Sequence, residues 1–180
     1  MIPGLVISAI RKLGRLVAAR DGSAAIEFAF VLPVLLFILC AIFQIGLVFT
    51  ANQVLEDATT EFARLIRTGQ AQAGGLTKAN FQQQFCDRIK VFLNCDGTNL
   101  LIDIQVMPSF GAVSLGWPID GSGNFTGTGG YSLGTKEQTV LVRAFYQYPV
   151  WMPYVGSTMS TLPNGKRLLA ASAAFRNEPF

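Results

Sequence analysis

Residues 28–51 read FAFVLPVLLFILCAIFQIGLVFTA, an unbroken apolar run of 24 residues in which only Pro33, Gln44 and Thr50 interrupt the pattern. As an α-helix this run is about 36 Å long, enough to cross a hydrocarbon core of about 30 Å with some tilt. A shorter apolar run could be a buried core helix, but this one exceeds the roughly 20 residues that a span requires. The run therefore predicts a membrane span, and it explains the totals of the whole 180-residue chain. Hydrophobic residues make up 51% and charged residues only 14%, far from the roughly 25% charged of soluble domains. The formal net charge of +3 is small and scattered, which argues against nucleic acid as a partner.

The flanks orient the span. Arg11, Lys12, Arg15 and Arg20 precede it against the single acid Asp21, whereas Glu56, Asp57 and Glu61 follow it before Arg64 and Arg67. The Lys/Arg bias places the N-terminus in the cytoplasm and the C-terminal part across the membrane. Within residues 2–19, Ile2, Leu5, Val6, Ala9, Ile10, Leu13, Leu16 and Val17 share one side of a helical wheel and the basic residues the other. This reads either as an amphipathic helix on the cytoplasmic leaflet or as a charged flank that only fixes topology. A secretory signal peptide is disfavoured, because the apolar run exceeds the 7–15 residues typical of one and no small-residue cleavage site follows.

The junction of leader and span reads Arg20-Asp-Gly22-Ser23-Ala-Ala-Ile-Glu27-Phe28. A glycine closing a basic leader, with a glutamate five residues on and an apolar helix at once, is similar to the processing signal of type IV-like prepilins. That resemblance implies cleavage by a prepilin peptidase between Gly22 and Ser23. Glu27 then becomes the fifth residue of the mature chain and pairs with the N-terminal ammonium of a neighbouring subunit, and Phe28 helps to dock the helix. A carboxylate at a bilayer edge is costly unless it is paired or reaches water, so the plain alternative for Glu27 is an acid among headgroups. The stretch from Gly22 through Glu27-Phe28 to Pro33 resembles the opening of the TadE-like minor pseudopilins of tight-adherence (Flp-type) pili. Pro33 removes one helix hydrogen bond and predicts a kink or a local loosening.

Beyond the span the helical period persists. Val54, Leu55, Ala58, Phe62, Leu65 and Ile66 form a stripe, with Asn52, Glu56, Thr59, Thr60, Arg64 and Arg67 around it. Such a stripe packs on a domain or on a partner helix, core packing being the commoner use. Gly69 is the expected cap of one helix of about 45 residues. After Gly74-Gly75, Thr77 caps a second helix running to about Phe92, with Phe81, Phe85, Ile89 and Phe92 on one face. Cys86 lies on that helix and Cys95 just past it, and in an oxidising compartment they form a structural disulfide. There is no CxxC motif, and two cysteines without histidine make a poor metal site. Cys40 reads as a small apolar residue of the span.

Leu100–Val106 alternates as a half-buried strand, with Leu100, Ile102, Ile104 and Val106 inward and Asp103 and Gln105 outward. Val140, Val142, Ala144, Tyr146 and Tyr148 give 139–148 the same character. Residues 168–175 are alanine-rich and suit a helix by propensity, but their place after two strands predicts a third. The glycine-rich segment 108–135 lacks the arrangement of a phosphate-binding loop and reads as a flexible surface loop available for interactions. The close of the chain, from Tyr146-Gln-Tyr148 and the turn 149–154 to Ala173–Phe180, also resembles TadE-like sequences.

The expected architecture is α+β and pilin-like: a long N-terminal transmembrane helix that continues into the periplasm and packs on a small antiparallel-sheet head. Its expected parts are a cytoplasmic leader (1–22), the span (23–51), the extension of the helix (52–69) and the head (70–180). The resemblance implies a bacterial inner-membrane, single-pass assembly protein that acts in pilus initiation or is itself incorporated in the pilus. The partners it implies are the prepilin peptidase, sibling minor pseudopilins, the major Flp-type pilin, the assembly platform and membrane lipid. A TadF-like role is the close variant. No histidine is present, and the acids are spread along the chain, so no catalytic constellation, cofactor or metal site is expected. The rival from another class is an uncleaved single-span anchor presenting a periplasmic binding or sensor domain.

Overall fold

A computed structural model describes residues 23–95, 98–112, 116–152 and 159–180. The leader 1–22, including Gly22, and part of the turn 149–154 lie outside the described residues. Helix α1 runs Ser23–Arg67, 45 residues, and passes through Pro33 without interruption. It ends as the sequence predicts. The Gly69 amide donates to the Ile66 carbonyl at 3.0 Å with φ of 77°. A Cβ there would lie 2.4 Å from the Phe180 ring, so both the left-handed backbone and the close packing require glycine.

A short helix α2 (Gln70–Ala73) leads to α3 (Lys78–Ile89). The Thr77 hydroxyl accepts from the Asn80 amide at 3.3 Å and caps α3 as expected. The helix stops at Ile89, earlier than its apolar spacing suggests. Leu93 therefore turns inward and is buried, whereas Phe92, expected on the buried face, is exposed. Three antiparallel strands follow, β1 (Leu100–Met107), β2 (Thr139–Pro149) and β3 (Lys166–Arg176), in the order β1-β2-β3. The alanine-rich third segment is thus a strand. Its small side chains pair with β2 along 11 positions, from Thr139↔Arg176 to Pro149↔Lys166.

Contacts divide the chain into a unit ending at Phe43 and a unit of residues 44–180. Among the described residues only the second has a core. One sheet face supplies Ile102, Ile104, Val140, Val142, Ala144 and Leu169. Val48, Leu55, Phe62 and Ile66 of α1 and Phe81, Phe85 and Ile89 of α3 pack there. Phe62 meets Phe81 edge to face at 4.9 Å and Phe85 at 5.2 Å. Thr59, placed among the polar positions by its residue type, is buried instead, and its hydroxyl donates to the Leu55 carbonyl at 2.7 Å. That internal bond satisfies the hydroxyl without water.

The opposite sheet face is covered as well, which corrects the reading of β1 as half-buried. Leu101, Phe145, Leu162 and Leu168 form a second, smaller cluster with Phe125 and Ala170 against it. The glycine-rich segment is also tied down more than a flexible surface loop would be. The Ile104 amide donates to the Gly130 carbonyl, and the Ser132 amide to the Ile104 carbonyl, both at 3.0 Å. Residues 129–132 therefore line the outer edge of β1. A Cβ at Gly129 would stand 2.6 Å from the Ile102 carbonyl oxygen, which explains a glycine at this close approach.

Candidate membrane-anchoring and docking surface

From Ala24 to Phe43 the surface of α1 is uncovered and, Glu27 aside, apolar. Ile26, Phe28, Phe30, Val31, Val34 and Ile42 are each at least 60% exposed, and Phe30 reaches 77%. Exposure of this kind along one helix is unfavourable in water, since each such side chain forgoes roughly 1.5–3 kcal/mol of burial. The helix is long and apolar enough to cross a membrane. Pro33 carries no N–H, so the Ala29 carbonyl loses its partner four residues on.

The sequence-predicted residues fall in two groups. Ser23 opens α1, and Glu27 and Phe28 follow one turn later with exposed side chains. These belong to the unit that ends at Phe43. Cys86 and Cys95 belong to the other unit and are bonded, with Cα atoms 5.7 Å apart. Cys40 is a free, exposed thiol on the apolar helix.

Several polar residues that sequence reasoning passed over are structured. Asp103, expected to face solvent, is 4% exposed. Its Oδ2 accepts from Arg143 Nη2 at 2.6 Å and Nε at 3.0 Å, and its Oδ1 accepts from the Gly130 amide at 2.7 Å. Asp103 stands directly opposite Arg143 in the β1–β2 register, which only the paired strands reveal. Arg143 also donates to the Gly116 carbonyl and lies over the Phe145 ring at 5.5 Å. Gln44 is a second such residue. It is 5% exposed within an apolar stretch, its Oε1 accepts from the Trp151 amide at 3.3 Å, and its Nε2 finds no partner among the described residues.

Several grooves flank the sheet. One of about 490 Å³ is lined by Asp57, Glu61, Arg64 and Arg67 on α1 and by Ala173–Phe175 on β3. Another of about 240 Å³ lies between Trp117, Arg143, Phe145 and Ala170–Ser172. Neither places a nucleophile beside a base. Among the described residues no group of three or more cysteines and carboxylates converges to hold a metal ion. Elsewhere, the Lys90 ammonium bonds Asp87 and holds its carboxyl below the usual range. Asn124 side-chain and backbone donors do the same for Asp120, which organises a tight turn with Ser122. Burial raises the phenols of Tyr131 and Tyr148.

The uncovered part of α1, with Glu27 and Phe28 near its first described residue, is thus the most distinctive surface among the described residues. Residues 22–64 match the model of the TadE-like protein family. This is the family that the opening of the helix resembles. The TadE-like segment begins at Gly22, takes in Glu27, Phe28 and Pro33, and ends within the part of α1 that packs on the head. The sheet and the glycine-rich segment lie beyond it. No curated protein matches the chain, and no solved structure matches it.

Proposed function

We propose that this protein is a minor pseudopilin-like assembly component of a tight-adherence pilus, without chemistry of its own. In this reading a prepilin peptidase cuts it after Gly22 in the inner membrane. The mature helix, starting at Ser23, then docks against sibling pseudopilins and the major pilin to initiate or extend the pilus. The single observation that carries the reading is where the TadE-like segment begins. It starts at Gly22, the glycine of the processing signal, and takes in Glu27, Phe28 and Pro33. Glu27 and Phe28 lie exposed at the head of an apolar helix, where a neighbouring subunit can reach them. The basic leader keeps the N-terminus cytoplasmic, which puts the disulfide-bonded head in the oxidising periplasm.

The N-terminal mass of the protein isolated from membranes, with and without the cognate peptidase, tests this. The expected product begins at Ser23 only when the peptidase is active, and Gly22→Val abolishes it. Glu27→Gln is expected to leave processing intact and to reduce co-isolation with sibling pseudopilins. An intact Met1 terminus beside an active peptidase sinks the reading and favours an uncleaved anchor with a periplasmic binding or sensor domain.

A further inference from the structure

Gln44 and Val48 are buried by the head although they lie inside the apolar run 28–51. A crossing of about 30 Å needs about 20 helical residues. Counted from Phe28, the first residue after Glu27, that crossing ends near Leu47, within one turn of Gln44. The chain touching Gln44 there is the turn that leaves β2, through the Trp151 amide. Trp151 is 77% exposed, the preceding Pro149 is exposed, and Val150 and Met152 are half-buried, with no charge among the four. Phe43 and Phe49 are also exposed on α1 around this level, at 69% and 72%.

The same end of the sheet carries positive charge. Lys166 pairs with Pro149 across the β2–β3 register, and Arg167 pairs with Tyr148. Lys166 Nζ donates to Asn99 Oδ1 at 2.8 Å and Arg167 Nη1 to the Met159 carbonyl at 3.1 Å. Neither has a carboxylate partner among the described residues. An uncharged tryptophan turn beside two cations, in contact with α1 at Gln44, matches the chemistry of the bilayer interface. Indole rings concentrate at headgroup depth, and basic side chains there gain from anionic lipid phosphates.

We propose that the Pro149–Met152 turn, with Lys166 and Arg167 beside it, seats the head on the lipid surface, Trp151 inserting at headgroup level. A lipid surface is favoured over a protein partner because the turn is tied to α1 at Gln44, inside the apolar run 28–51. The contact fixes which face of the head lies against lipid, so the surface offered to other subunits is set before any of them binds. The inference rests on α1 crossing a membrane, and its test keeps the two claims separate.

The full chain, reconstituted into vesicles of phosphatidylcholine and phosphatidylglycerol, is prepared with Trp151 as its sole tryptophan by Trp117→Phe. A second preparation keeps only Trp117 by Trp151→Phe. A third carries both substitutions and Phe37→Trp within the span. Emission is quenched from the lipid side by phospholipids brominated along the acyl chain, and from the water side by acrylamide. The expected result is a blue-shifted Trp151, quenched severalfold more strongly by shallow bromines than Trp117 and shielded from acrylamide. The Phe37→Trp reporter is expected to respond to deep bromines. If that reporter responds while Trp151 stays open to acrylamide and blind to bromine, the lipid contact is overturned and the spanning helix stands. If neither responds to bromine, both claims fail.

Discussion

Asp103 and Arg143 form the one ion pair of the described residues whose side chains are both largely buried, at 5% and 13% exposure. Each needs the other, because an unpaired charge in that position loses water without compensation. Asp103→Ala is expected to destabilise the head by roughly 3–5 kcal/mol, at the lower end because Arg143 keeps the Gly116 carbonyl. Replacing both, as Asp103→Leu with Arg143→Met, is expected to cost much less, and urea titrations of the three proteins in one detergent decide it. Alternation along β1 could not show this pair, since period 2 assigns a face without saying what covers it. The cover comes from the Trp117 to Phe125 segment, whose path no local pattern announces. Tyr131 gives a second test at this scale. Its hydroxyl donates to the Leu76 carbonyl at 2.6 Å, and burial raises its pKa in the folded state. Stability from such a group is complete below the unfolded value of about 10 and is lost as pH rises through the folded value. Unfolding free energy is therefore expected to hold up to about pH 10 and then fall, less steeply in Tyr131→Phe. Tyr148 retains part of the slope, being raised by burial too.

At the level of elements, helices were more legible than their ends. The apolar run, the Leu55–Ile66 stripe and the Thr77 cap each depend on neighbours within four residues, so the sequence contains their cause. Where α3 ends is decided by tertiary packing instead. Cys86 on its last turn is tied to Cys95, and Leu93 rather than Phe92 enters the core. The disulfide spans nine residues, and on the loop-entropy model closing so short a loop is worth roughly 2–3 kcal/mol. Cys86→Ser with Cys95→Ser is expected to lower the unfolding free energy of the head by about that amount. Dithiothreitol should reproduce the loss in the parent and leave the double variant unchanged. The third strand was legible only through its company. Alanine propensity points to a helix, and pairing with β2 overrides it.

For the molecule as a whole, α1 does two unlike things along one axis. Residues 24–43 present apolar side chains outward, whereas Val48, Leu55, Phe62 and Ile66 complete the core of the head. A stretch long and apolar enough to cross a membrane and a share of the head's core are thus written on consecutive parts of one helix, and the TadE-like segment covers both. The two parts should be separable by truncation at the right residue. A chain beginning at Gln44 keeps every buried residue of the main cluster, so it is expected to fold without detergent and to form the Cys86–Cys95 bond. A chain beginning at Gly69 loses those four helix residues from against Phe81, Phe85, Ile104 and Val142. Deleting even one aromatic from such a site costs about 3–5 kcal/mol, a large share of the 5–15 kcal/mol typical of a domain. Near-ultraviolet circular dichroism and amide dispersion by NMR should therefore be native-like for the first chain and collapsed for the second. Two equally folded chains would mean that the sheet and α3 form a sufficient core, leaving α1 a detachable anchor.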